Sequence, residues 1–199
     1  MGADTKTRHP RRRRVLVSGR VFPDEIVELR ESVIGYLARM RALADELLTA
    51  TATSLGQPDD FCTRHTGRST YTMNINWYPP TTLAGPPAEG QFRIEPHTDF
   101  GTFTILDREP GKGVLQVWRP ADDWESAPYH PDALTINTGG LLARWSGDRG
   151  KSNRHRVLSP QADAADEDVV SLVFFYEADW DTMVHALQRR SASRTVTRR

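Results

Sequence analysis

Apolar residues at Ile26, Leu29, Val33, Leu37, Met40, Leu43 and Leu47 recur every three to four positions, the period of one helix face. The spacing predicts a long amphipathic helix from 24 to about 54. Pro23 and Asp24 suit its start, with Asp24 as N-cap, and Gly56 and Pro58 suit its end as C-cap glycine and breaker. Beyond "GQPDD" the texture changes to short runs at 69–78, 102–106, 114–118, 133–138, 155–159 and 169–176, each bounded by Pro, Gly or Asp. These read as strands, with one short helix expected at 140–146. A long helix followed by many short strands describes a mainly β (α+β) fold. A double-stranded β-helix is expected for the core, the distorted jelly-roll or cupin-like form, because two sheets rolled face to face hold a small polar site between them.

Length and charge narrow the partner. The 199 residues suit one domain. Lys plus Arg and Asp plus Glu balance at 26 each, which gives no overall attraction to nucleic acid or to an anionic membrane. A small-molecule substrate is the expected partner. The single cysteine, Cys62, excludes an internal disulfide framework, and no apolar run has the length of a membrane span, so a cytoplasmic location is expected. Both ends are basic with little to bury, so 1–20 and 185–199 read as solvated tails flanking a domain at 21–184.

The candidate chemistry lies in "PHTDF". Side chains two apart on a strand share a face, so His97 and Asp99 can address one ion while Thr98 points away. His155 opens a later predicted strand that a rolled sheet can bring opposite them. Two imidazoles and a carboxylate form a face that leaves other metal positions open, as in iron(II) oxygenases. By ligand type alone, a cupin-like zinc or manganese site for isomerisation or hydrolysis also remains open.

The stretches "NINWYPP", "RIEPHTDFGTFTIL", "GVLQVW", "INTGGLLARWSGDRGKSNRHRV" and "SLVFFYEADWD" arrive in a characteristic order and spacing. From 21 to 184 the chain resembles the isopenicillin N synthase-like family of iron(II)/2-oxoglutarate dioxygenases. The resemblance implies a jelly roll holding Fe(II) through His97, Asp99 and His155. It further implies 2-oxoglutarate as co-substrate, O₂ as oxidant, and Tyr78 and Ser171 near the co-substrate or substrate. No catalytic residue beyond the metal ligands is implied.

The chain also departs from that pattern. The family's R-x-S arginine would stand two residues before Ser171, where this chain has Val169. Arg93, Arg144 and Arg156 are the substitutes considered; Arg156 neighbours a ligand and should point to the other strand face. Gly140 stands where relatives carry an acidic residue, and Gly150 where a bulky one is common. Relatives also continue further at both ends. These departures raise an alternative, a truncated member that binds metal without turning over 2-oxoglutarate.

Other suggestive features have plainer readings. "GDRGKS" lacks the leading glycine of a phosphate loop, because Trp145 occupies that position. His9, His65, His130 and His185 lack partners at ligand spacing. Cys62 reads as a small buried filler, and Trp77, Trp118, Trp145, Phe174 and Phe175 as core aromatics with one or two facing a cavity.

Overall fold

The structure is a computed structural model that describes residues 22–111, 115–120, 123–160 and 164–188. It divides into two compact units, 1–35 and 36–199. The described part of the first holds a turn at 24–25 and the opening turns of helix α1 (Val27–Ser54). Here Leu29 N donates to Ile26 O and the Arg30 guanidinium lies 5.1 Å from the centre of the Phe22 ring. The helix therefore begins at Val27, after the turn, and not directly behind Asp24 as expected from an N-cap there.

In the second unit α1 buries Leu37, Met40, Ala44, Leu48 and Ala52. Only the first two belong to the stripe read from the sequence; Leu43 and Leu47 are half-buried, one position round the helix. Polar anchors explain the rotation. Tyr176 Oη donates to Asp45 Oδ1, Thr66 Oγ1 donates to the same oxygen, and Arg41 donates to Thr66 O while lying over Tyr71. The methyl side chains of Ala44 and Ala52, both fully buried, let the backbone lie close where leucine would hold it off. Full burial of Leu48 contributes roughly 1.5–3 kcal/mol. At the other end Gly56 takes φ +67°, and its N–H and that of Gln57 return to Thr53 O and Ala52 O, closing the helix as expected.

Eight strands follow: β1 (Thr72–Tyr78), β2 (Phe92–His97), β3 (Phe103–Arg108), β4 (Leu115–Arg119), β5 (Asp123–Ser126), β6 (Thr135–Thr138), β7 (His155–Leu158) and β8 (Val169–Tyr176). They form two antiparallel four-stranded sheets, ordered β1-β8-β3-β6 and β2-β7-β4-β5. The expected jelly roll is present. Each of the six runs read as strands is one. The β5 strand was not foreseen: "DWES" is too polar to announce itself and earns its place through the Trp118–Trp124 edge contact at 5.1 Å. A short helix α2 (Thr81–Ala84) follows β1, and α3 (Gly140–Trp145) stands at the expected place.

Strand β8 shows how one sheet serves two layers. Phe174 and Tyr176 are fully buried on the side of the Asp45 bond, whereas Val169, Ser171, Val173 and Phe175 face a cavity of about 380 Å³ between the sheets. Leu187, in the stretch read as a basic tail, donates its N–H to Trp145 O. Residues 1–21 and 189–199, which hold most of both tails, lie outside the described residues. Among the described residues no helix is long and apolar enough to cross a membrane.

Candidate metal centre

His97 ends β2 and His155 opens β7, and the two are direct partners in the antiparallel register. Their rings stand 4.2 Å apart centre to centre. Asp99 is not on the strand as the alternation argument assumed. It lies in the turn after β2, where the N–H of Gly140 at the start of α3 donates to its carbonyl at 2.7 Å. That turn still delivers the carboxylate: Asp99 Oδ1 is 3.5 Å from His97 Nε2 and 3.8 Å from His155 Nε2. One donor atom from each of the three side chains lies within 4.8 Å of the others.

The neighbours prepare each donor. His97 Nδ1 stands 2.7 Å from Glu95 O and His155 Nδ1 stands 3.1 Å from Asn153 O. A carbonyl only accepts, so each Nδ1 carries a proton, and each ring presents its Nε2 edge toward Asp99. Asp99 is buried, and its Oδ2 accepts from Thr104 Oγ1 at 2.6 Å and from Asn137 Nδ2 at 2.7 Å. Its Oδ1 remains for an ion. Two imidazoles and one carboxylate oxygen, all oriented and converging, fit a divalent transition metal. Thr104 and Asn137 escaped the sequence reading; only their place in the register, opposite each other on β3 and β6, brings them to Asp99.

The cavity runs away from this set along the inner face of the β1-β8-β3 sheet. Successive rungs pair Thr104 with Phe175, Leu106 with Val173 and Arg108 with Ser171, and on the other side of β8 Tyr78 pairs with Val169. Each rung advances roughly 6.6 Å. Tyr78 and Ser171 both line the cavity, as does Val169, which is buried. Position 169 therefore offers this chamber an isopropyl group where the resemblance calls for a guanidinium.

Of the three substitutes considered, the structure brings one into the chamber. Arg93, on β2, lines it, with its Nη1 2.7 Å from Glu167 Oε1 and its guanidinium 4.9 Å from the centre of the Tyr78 ring. Arg156 leaves on the other face of its sheet as expected, donating to Gln116 and lying 4.1 Å from the Trp124 ring. Arg144 bonds to Val184 O. Arg108, not foreseen, also lines the chamber; burial pulls its pKa down, and its Nη2 donates to Ala127 O and Pro128 O.

Residues 59–178 match the 2OG-Fe(II) oxygenase superfamily. The chain belongs to that family. It is 43% identical over 158 residues to validamycin A dioxygenase of Streptomyces hygroscopicus subsp. limoneus, a match covering 79% of this chain and 43% of that one. It is 33% identical over 181 residues to a 2-oxoglutarate-dependent dioxygenase of Dothideomycetidae sp. (strain 11243), covering 86% and 53%. Among solved structures it resembles Neurospora crassa T7H in complex with α-ketoglutarate, with TM-score 0.75 and 25% identity, covering 86% of this chain and 54% of that one. The chain thus spans about half the length of these 2OG-Fe(II) oxygenases.

The remaining features keep their plain readings, except that Trp77, read as a core aromatic, is 56% exposed. Cys62 is free and buried, and burial pushes its thiol up to about 11. His65 lies 5.5 Å from the Trp145 ring, centre to centre. Of the five aromatics, Phe175 faces the cavity, Trp145 and Phe174 are buried, and Trp77 is exposed with its Nε1–H donating to Asp168.

Proposed function

We propose that this chain is a non-haem iron(II)/2-oxoglutarate-dependent dioxygenase that oxidises a small metabolite. The convergence of His97 Nε2, His155 Nε2 and the uncommitted Asp99 Oδ1 carries the reading. Family membership and relatives described as 2-oxoglutarate-dependent dioxygenases support it. Bound iron(II) would let O₂ act as the oxidant, with 2-oxoglutarate as the electron donor that leaves as succinate and CO₂.

The protein's own residues have defined tasks in this scheme. His97, Asp99 and His155 would hold the ion, which when bound would engage co-substrate and O₂. Thr104 and Asn137 hold the carboxylate so that it presents one oxygen. Ser171 and Tyr78 offer hydroxyl donors inside the chamber, placed to orient a bound organic acid. Leu106, Leu115, Val117 and Val157 wall the cavity with apolar surface, which excludes water from the reacting centre.

The substrate is a small molecule, and Asn74, Asn76 and Thr135 in the cavity wall favour one that carries polar groups. A cytoplasmic site of action belongs to this proposal and is supported by the single, buried Cys62. The test is anaerobic addition of 2-oxoglutarate to the iron(II) protein. A visible charge-transfer band is expected, and its absence together with unperturbed metal binding would overturn the reading.

A further inference from the structure

We propose that Arg93, projecting from β2, anchors the distal carboxylate of 2-oxoglutarate, taking the place of the β8 arginine that this chain replaces with Val169. The inference rests on the dioxygenase reading above and concerns which side chain gives that pocket its preference for a dicarboxylate.

The Arg93 side chain is 9% exposed, and its Nη2 is buried with no hydrogen-bond partner among the described residues. An unsatisfied guanidinium nitrogen in such a place costs roughly what a lost charged hydrogen bond costs, so it marks a donor awaiting an acceptor. Its aim is fixed on two sides. Nη1 is held by Glu167, and the plane rests over Tyr78. Nη2 is the nitrogen left without a partner, and Arg93 lines the same cavity as Ser171.

Val169 makes the arrangement possible. It pairs with Tyr78 across β1 and β8, the residue on which Arg93 rests, and it lies two positions after Glu167. Gly111 closes that end so tightly that a Cβ there would stand 3.0 Å from Val169 Cγ2 and 3.2 Å from the Glu167 carboxylate. An arginine at 169 would put a second guanidinium into this corner beside Arg93, with like charges in low dielectric. The two placements are alternatives, and the anchor comes from the opposite sheet. Arg108 also carries a buried nitrogen without a partner, Nε, but its Nη2 is already committed to two carbonyls, so less of its fork is available.

The test is calorimetric titration of the Mn(II)-loaded full chain, which binds without turnover, with 2-oxoglutarate and with 2-oxobutyrate, which lacks the distal carboxylate. The unsubstituted chain is expected to prefer 2-oxoglutarate by roughly 30-fold or more, the range for a buried charged hydrogen bond. Arg93→Lys, which keeps the charge facing Glu167 but loses the fork, should reduce that preference. Arg93→Met with Glu167→Gln, which leaves no lone buried charge, should bring it close to one. Adding Val169→Arg to that double variant should restore it. Retention of the preference by the Arg93 variants, or its absence in the unsubstituted chain, would overturn the inference while leaving the dioxygenase reading intact. Failure of the unsubstituted chain to bind either acid would overturn that reading and the anchor with it. Should the double variant fail to fold by circular dichroism, Arg93→Lys and the unsubstituted chain decide the matter alone.

Discussion

Asn137 donates its amide N–H to Asp99 Oδ2 at 2.7 Å, from a strand on the opposite sheet to the histidines it serves. With Thr104 it saturates one carboxylate oxygen and leaves the other pointing at two imidazole Nε2 atoms. A carboxylate freed of such partners rotates, and the metal must then pay for its orientation. Asn137→Ala is therefore expected to weaken Mn(II) or Fe(II) affinity by roughly 10–100-fold while leaving the far-UV spectrum unchanged. A metal titration checks this, and unchanged affinity would remove Asn137 from the site.

The ligands themselves should behave differently from their supports. His155→Ala removes one of three donors, and stoichiometric iron binding is expected to be lost. His155 is not part of the fully buried core, so the melting temperature of the metal-free chain should change little. Metal analysis and a thermal melt of the same sample separate the two effects.

Gly139→Ala is expected to damage both fold and site. A Cβ at 139 would stand 2.1 Å from the Gly101 carbonyl oxygen, a clash between backbones that no side chain can relieve. The turn bearing Asp99 docks on α3 through the Gly140 and Leu141 N–H groups, so any separation moves the carboxylate. Losses on the order of 1–3 kcal/mol, the usual scale of overpacking, should appear in denaturant unfolding, accompanied by weaker metal binding.

Alkaline pH should loosen the contact between α1 and β8. Burial, and next the hydrogen bond to Asp45, push the Tyr176 phenol from 10.0 to about 12. A group whose pKa is raised on folding adds stability that is complete below its unfolded value and disappears as pH rises through the folded one. Stability from Tyr176 is therefore expected to hold below pH 10 and to fall between pH 10 and about 12. Tyr176→Phe should flatten that decline and cost roughly 1.5–3 kcal/mol at neutral pH, as for a hydrogen bond to a charged acceptor. Urea melts across this pH range provide the measurement.

The convergence of His97, Asp99 and His155 was legible because its motifs are local: H-x-D and the strand-opening histidine carry their meaning in residue type and spacing. The β runs were legible for the same reason, being dense in β-branched and aromatic residues. What escaped depended on register. Nothing in "FTIL" or "TINT" marks Thr104 and Asn137 as partners of Asp99 until β3 and β6 are paired. The stripe on α1 was misplaced because apolarity alone ranks Leu43 and Leu47 above Ala44, whereas the bonds to Asp45 and the small size of alanine decide which side lies down. Val169 was visible as a missing charge, but its counterpart Arg93 sits 76 positions earlier and meets that corner only through the roll of the sheets.

The metal donors straddle the seam of the jelly roll. Both histidines hang from the β2-β7 sheet, while Asp99 is tied through Thr104 and Asn137 to β3 and β6 of the other. An ion held by all three rivets one layer to the other at the cavity's mouth. Metal bound by the folded site and not by the unfolded chain then adds RT ln(1 + [metal]/Kd) to the resistance of the two layers to parting.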